Sequence, residues 1–313
     1  MKKIRDFEEK DRLTLPLLVK DVRNGTTNKG AAYVSVIVQD NSGTIDGKYW
    51  DIRPDQAALI VPGRIVSFTF EVLLYNKALQ LRIVKVAEVD ERQLDMSEYV
   101  VAASASETER KNMVRQYVAS IANPVLRQLV EGMFEKVGQL YYEYPAASRI
   151  HHSYLGGLSE HSLAMARMAD FVAAQYPDID RDLLVAGALV HDMGKTAEMS
   201  GPVTTEYTLA GRLEGHISLA NGWLSEVAEK LGLENKQETV LLHHMILSHH
   251  GHYEFGSPVL PMLMEAEALS MIDNLDAKMN ALKQALDQTR EGEWTSKMFS
   301  MENRQFYKPK KGE

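Results

Sequence analysis

Histidines and aspartates gather in one window of this chain. All ten histidines lie between His151 and His252 of a 313-residue sequence that has no cysteine. Two adjacent pairs, His191-Asp192 and His249-His250, accompany His161 in GGLSEHSLAM, His216 in LEGHISLA and Asp273 in ALSMIDNLDAK. A lone His on an apolar helix is more often a satisfied core residue. Pairs at the ends of apolar runs, and an Asp among Met271, Ile272 and Leu275, are harder to bury without a counter-charge. Imidazole and carboxylate donors without thiolate suit Mn2+, Fe2+, Co2+ or Zn2+. Seven such residues exceed the needs of one octahedral ion once water positions stay open, so the pattern admits a two-metal site.

These residues need helices to position them. Leu183–Val190, LLVAGALV, is too short for a membrane span and reads as a core helix, with His191-Asp192 at its end. Helical periodicity starts at Ser106 and predicts helices over Glu107–Ile121 and over Pro124–Val137, the latter capped by Asn123. Ser159–Gln175 (with Ser159 as cap), Arg181–His191, Glu214–Leu231, Asn235–Ser248 and Pro258–Thr289 follow. Thr204–Leu213 reads as an irregular or hairpin excursion, and the basic Lys308-Pro309-Lys310-Lys311 as a frayed terminus.

The first part of the chain is different. Short strands punctuated by turns fit Leu15–Val22, Ala32–Gln39, Thr44–Trp50, Arg64–Leu74 and Leu79–Val89, the last two joined around Tyr75-Asn76-Lys77. A short helix over Arg53–Ile60, with Pro54 in its first turn, separates the third strand from the fourth. Five strands with a helix at that point match the plan of an OB-fold barrel. The stretch from Lys29 through Tyr33 and Asp40-Asn41-Ser42-Gly43 to Trp50 resembles nucleic-acid-binding OB domains, which stack bases on aromatics and track the backbone with basic residues. About half of Tyr33, Tyr49, Trp50, Phe68, Phe70 and Tyr75 should fill the barrel, because strand neighbours alternate in and out. Tyr33 and Trp50, with Lys29, Lys48 and Arg53, are the candidate binding residues.

Composition bounds the rest. A hydrophobic fraction of 45% and a charged fraction of 25% describe an ordinary globular chain, and its length suggests two domains, residues 1–95 and 96–313. The first carries 15 Lys/Arg against 14 Asp/Glu and the second 20 against 29, so a polyanion must be gripped locally or with metal assistance. The absence of thiols, of a signal-type h-region and of a membrane-length apolar run predicts a cytoplasmic protein with no membrane partner.

The order His161, His191-Asp192, Asp273 resembles the HD superfamily of metal-dependent phosphohydrolases, and His216 with His249-His250 matches the additional histidines of its multi-metal members. An OB domain ahead of HHSYLGGLSEHSL, VHDMGK, GHISLA, SHHGHYEFGSP and EAEALSMIDNLDAKM is similar to the YhaM-type 3′→5′ exoribonucleases. The resemblance implies an N-terminal five-stranded OB-fold β-barrel and a C-terminal all-α HD domain. It implies metal ligation by His161, His191, Asp192 and Asp273, with His216, His249 and His250 completing a second site. One or two divalent ions per chain are expected, manganese first, with cobalt, iron or zinc as alternatives.

The implied reaction is hydrolysis of single-stranded RNA, and of single-stranded DNA as a further substrate, to 5′-mononucleotides. Asp192 stands at its centre. Lys195 is a candidate clamp on a phosphate oxygen or else a cation at a helix C-terminus. His152, near Gly156-Gly157, is a candidate phosphate contact or leaving-group acid. His151, His243, His244 and His252 read as packing, capping or surface residues. Gly157 stands where some multi-metal relatives carry Glu, and Gly251-His252-Tyr253-Glu254 replaces the Gly-Tyr-Pro signature of the cyclic-dinucleotide branch, arguing against that substrate. Competing readings are a nucleotide phosphohydrolase or cyclic-nucleotide phosphodiesterase, which needs no strand-guiding barrel, and a catalytically silent nucleic-acid-binding scaffold. A homo-oligomer is compatible with all three.

Overall fold

The computed structural model describes the chain apart from residues 28–29, 76–77, 91–93, 96–97, 100–102, 147–153, 202–205, 288 and 311–313. Lys29, Lys77, His151, His152 and Lys311 lie outside the described residues. Two compact units divide the chain, Met1–Ala102 and Ala103–Glu313.

In the first unit, β1 (Arg12–Thr26), β2 (Ala32–Asp40), β3 (Gly43–Trp50), β4 (Ile65–Tyr75) and β5 (Ala78–Ala87) close a barrel in the order β1-β2-β3-β5-β4. Strand β1 is longer than the sequence suggests because it serves two neighbours: Arg12–Leu18 pairs with β4, and Leu18–Thr26 with β2. A short parallel pairing of β3 with β5 closes the ring, and helix α1 (Pro54–Ala57) bridges β3 and β4. This is the OB plan. Alternation decides the faces: Val34, Val36 and Val38 fill the interior with Phe68, Phe70, Val72, Leu81 and Ile83, while Tyr33 and Ser35 face outward.

The second unit is helical. Its long elements are α2 (Glu107–Ser120), α3 (Pro124–Val137), α5 (Gly157–Gln175), α6 (Arg181–Val190), α9 (Gly215–Leu231), α10 (Gln237–Ser248) and α11 (Met264–Asp287). Three single-turn pieces, α4 (Leu140–Glu143), α7 (Lys195–Glu198) and α8 (Leu209–Leu213), join them. Every residue from Leu183 to Val190 is buried, as a helix apolar on all sides must be, and α3, α5, α10 and α11 pack around it. Asp180 caps α6 by accepting from the Asp182 and Leu183 amides. No described helix is long and apolar enough to cross a membrane.

Four expectations need correction. Helix α5 starts at Gly157 behind a left-handed Gly156, so Ser159 is no cap. It lies buried inside the helix, accepting from the Arg110 guanidinium and donating to the Gly156 carbonyl. Helix α11 starts at Met264 rather than Pro258, because Pro258 and Pro261 disfavour helix in the residues before them. Of the excursion expected over Thr204–Leu213, the antiparallel bridge of Met199 with Tyr207 agrees with a hairpin, and only Leu209–Leu213, which forms α8, departs from it. The terminus is not frayed as far as Lys308: bridges pair Trp294 with Tyr307 and Met298 with Arg304, and the Lys308 ammonium donates to the Leu286 carbonyl at the end of α11 and to that of Thr289 just beyond it.

Asn123 caps α3 by accepting from the Val125 and Leu126 amides at 2.9 and 3.2 Å. Asn123→Ala should therefore cost about 1 kcal/mol in a urea titration of the full chain followed by far-UV circular dichroism.

Candidate metal centre

Five helices deliver side chains to one point. His161 lies in the second turn of α5, His191-Asp192 directly after α6, His216 at the start of α9, His249-His250 directly after α10, and Asp273 in the middle of α11. The Asp192 carboxylate is 2% exposed and faces both ways. Its Oδ2 lies 3.3 Å from His191 Nε2 and 3.7 Å from His161 Nε2, and Asp273 Oδ1 lies 3.3 Å from the same His161 nitrogen. Its Oδ1 lies 3.5 Å from His216 Nε2 and 3.7 Å from His249 Nε2. His250 completes that side, its ring centroid 4.3 Å from that of His249 and 5.2 Å from that of His216. Ligand-capable atoms of His161, His191 and Asp273 cluster within 4.8 Å, as do those of His216, His249 and His250 and those of His191, Asp192 and His249.

The orientation of the rings is forced from behind. The Nδ1–H groups of His191, His249 and His250 donate to the carbonyls of Ala188, Ile246 and Phe255 at 3.1, 2.7 and 2.7 Å. A carbonyl only accepts, so each imidazole must carry its proton on Nδ1, which leaves the Nε2 lone pair aimed forward. Carboxylates do the same for the other two: His161 Nδ1 meets Asp276 Oδ2 at 2.6 Å, and His216 Nδ1 meets Glu198 Oε1 at 3.0 Å. Glu198 also accepts from the His216 amide at 3.1 Å. A ring nitrogen anchored on a carboxylate or carbonyl is the usual support of a metal-ligating histidine.

The atoms facing the centre fit a cation. Among the described residues, the buried Nε2 atoms of His191, His216 and His249 and the Oδ1 of Asp192 have no hydrogen-bond partner. Each such orphan costs about 1–3 kcal/mol if left so. Convergence of these atoms on one space is what a divalent ion, or a pair bridged by Asp192, would satisfy.

The electrostatics follow from the same crowding. Burial would raise the Asp192 pKa, but Lys195, His191 and His216 outweigh it and hold the carboxyl well below its ordinary range. Burial likewise opposes ionisation of Asp273, whose neighbour His161 reverses the effect. His161 loses from burial and gains more from Asp273 and Asp276, so its pKa is pushed up to about 9. His249 and His250 are lowered, by burial first and then by neighbouring imidazoles.

Lys195 does not sit at a helix C-terminus. It opens α7, and its ammonium donates to Asp192 Oδ2 at 2.6 Å, where it neutralises and orients the shared carboxylate. His243 and His244 stand apart from the cluster: His243 Nδ1 bonds Asn221 Oδ1 at 2.6 Å, and His244 Nε2 accepts from the Met262 amide. His252 packs edge-on against Phe255. Asp276 and Glu198 escape sequence reasoning because an acid on a helix is ordinarily a solvated one. Their spacing held a signal, since Asp276 follows Asp273 by one helical turn.

On the barrel, Tyr33 and Trp50 are directly opposed in the β2–β3 register, with ring centroids 4.9 Å apart. The Lys48 ammonium lies over both rings, 5.7 and 5.2 Å from their centroids. Tyr33 lies across Gly25, where a Cβ would come within 2.4 Å of its ring, and so it is half-buried, while Trp50 is 46% exposed. Tyr49, Phe68 and Phe70 pack with the core, and Tyr75 is exposed. Arg53 is exposed past the end of β3 and pairs with Asp55 at 3.3 Å.

Residues 158–278 match the HD domain family, a span that holds every candidate ligand from His161 to Asp273. The match runs from α5 into α11 of the helical unit, and an HD domain implies a metal-dependent phosphohydrolase. The chain is also similar to the second OB-fold domain of replication protein A from Methanococcus maripaludis, at 18% identity and a TM-score of 0.25, covering 30% of this chain and 98% of that one.

Asp276→Asn leaves His161 in place but weakens the anchor that sets its tautomer. Calorimetric titration with Mn2+ should show a 10–100-fold loss of affinity at the His161–Asp273 side, the usual effect of removing such a support. An unchanged isotherm would mean that His161 takes no ion.

Proposed function

We propose that the protein is a metal-dependent 3′→5′ exoribonuclease that removes 5′-mononucleotides from single-stranded RNA, with single-stranded DNA as a second substrate. The observation that carries the reading is the Asp192 carboxylate, whose two oxygens face two histidine sets that adjoin at His191 and His249 inside an HD domain. His161, His191, Asp192 and Asp273 would hold one divalent ion, and Asp192, His216, His249 and His250 a second. Bound there, manganese or a similar ion supplies Lewis acidity, acidifying water toward neutral pH and stabilising the charge that grows on a phosphodiester.

The chain's own residues do the rest. Asp276, Glu198 and three backbone carbonyls hold five imidazoles with their Nε2 atoms forward, so little reorganisation is needed when substrate arrives. Lys195 fixes the Asp192 carboxylate. The β2–β3 face of the barrel supplies the substrate class: Trp50 is an exposed stacking surface backed by Tyr33, with the Lys48 cation beside it for a phosphate backbone. A free mononucleotide has no use for such a platform. Arg53 would extend the basic track, and Lys29 and His152, outside the described residues, remain our candidates for a backbone contact and for the leaving-group proton.

End-labelled RNA and DNA strands, incubated with a panel of divalent ions, should yield a ladder that shortens from the 3′ end and is strongest with Mn2+. Asp192→Ala should abolish it and release bound metal. Turnover of mononucleotides with intact strands, or full RNA processing after Asp192→Ala, would sink the proposal. Trp50→Ala should weaken strand binding by roughly tenfold, in line with about 1–3 kcal/mol per stacked base, as read by fluorescence anisotropy.

A further inference from the structure

The turn that backs His250 carries two aromatic rings that the mechanism above does not use. Tyr253 and Phe255 lie in a single 3₁₀ turn, Tyr253–Phe255, and each is 63% exposed. This turn is built onto the site. The Phe255 carbonyl is the acceptor that orients His250, at 2.7 Å from its Nδ1, so the turn and a candidate metal ligand are fixed to one another.

Left-handed glycines bracket the loop, Gly251 at φ 74° and Gly256 at φ 98°. Gly251 also passes so close to α11 that a Cβ there would fall 2.2 Å from Ser270 Oγ. The Phe255 amide donates to the His252 carbonyl at 3.1 Å, and the His252 ring supports the Phe255 ring edge-on at 5.2 Å between centroids. Two large rings are therefore held in solvent by a rigid turn one short loop from His250. No Lys or Arg occurs between His249 and Leu263, so this turn itself offers no cation to a phosphate. Its chemistry suits a flat, apolar-faced group joined to a phosphodiester that sits at the histidines.

We infer that Tyr253 and Phe255 form the seat on which the terminal nucleobase of the substrate strand stacks while its phosphodiester lies at the metal centre. The inference rests on the nuclease reading and deepens it by giving the site a base-binding subsite without a hydrogen-bonding code. Any of the four bases has a π-face to offer, so the seat would accept all of them.

The double variant Tyr253→Leu/Phe255→Leu keeps apolar bulk and removes both rings. With an oligoribonucleotide, its KM should rise on the order of tenfold while kcat moves little and bound metal per chain matches the wild type. On a strand that ends in an abasic ribose, the gap between variant and wild type should close. Equal KM values on the base-bearing strand, a gap that persists on the abasic strand, or loss of metal from the variant would each overturn the seat. The last result would make the turn a brace for His250. If the wild type cleaves no single strand at all, the nuclease reading itself fails, whereas a wild type that cleaves and a variant that matches it remove the seat alone.

Discussion

A single buried carboxylate has to answer two groups of imidazoles, and the helical domain is arranged around that demand. An anion taken out of water costs several kcal/mol unless charge and hydrogen bonds are returned to it. Asp192 receives one cation from its own chain, the Lys195 ammonium three residues on, and that contact occupies Oδ2. Its Oδ1 is left among imidazole nitrogens that are themselves unsatisfied. Compensation for that half must come from something small and positive, which is why the centre reads as a cation site and not as an ordinary ion-pair network.

Several features elsewhere become intelligible from this constraint. Helix α6 is apolar on every side because it must carry His191-Asp192 into the middle of the domain. Gly194 is required because a Cβ there would lie 2.0 Å from the His216 carbonyl, so the turn after Asp192 can touch the start of α9 only without a side chain. That contact brings His216 to Asp192. The two sides of the centre differ in depth: the His161 side chain is 1% exposed, whereas that of His216 is 12% exposed. The deep side has carboxylates on both nitrogens of His161, and the shallow side is richer in imidazole.

The barrel solves a separate problem with ordinary strand physics. Period-two alternation fills the interior with Val, Leu, Ile and Phe and turns Tyr33, Lys48 and Trp50 outward on adjacent strands. Gly25 opposite Tyr33 gives the ring a flat backbone to lie on. Trp50 then projects as the exposed member of a supported pair, a stiffer platform than an isolated surface indole.

Local rules carried much of the fold. The helix over Pro124–Val137 and its Asn123 cap, the core run Leu183–Val190 and the five strands follow from periodicity, capping chemistry and turn residues, all of which act over a few residues. Where those rules conflicted, sequence reasoning went astray. Ser159 has the side chain of a cap but is recruited by Arg110 from a helix 49 residues away, and the tail around Lys308 looks like a frayed end but closes the last turns of α11.

The kinds of donor were written in the chain order: imidazoles and acids without thiols, spaced at helix ends and therefore suited to a divalent cation. Which nitrogen of each ring faces that cation, which carboxylate is shared and which acids merely stand behind were decided only in three dimensions. Glu198 looks in sequence like a solvated surface acid, Asp276 is marked only by its one-turn spacing from Asp273, and the carbonyls of Ala188, Ile246 and Phe255 have no side-chain signature at all. A ligand's identity is a property of one residue, whereas its orientation belongs to the partner that packing places behind it.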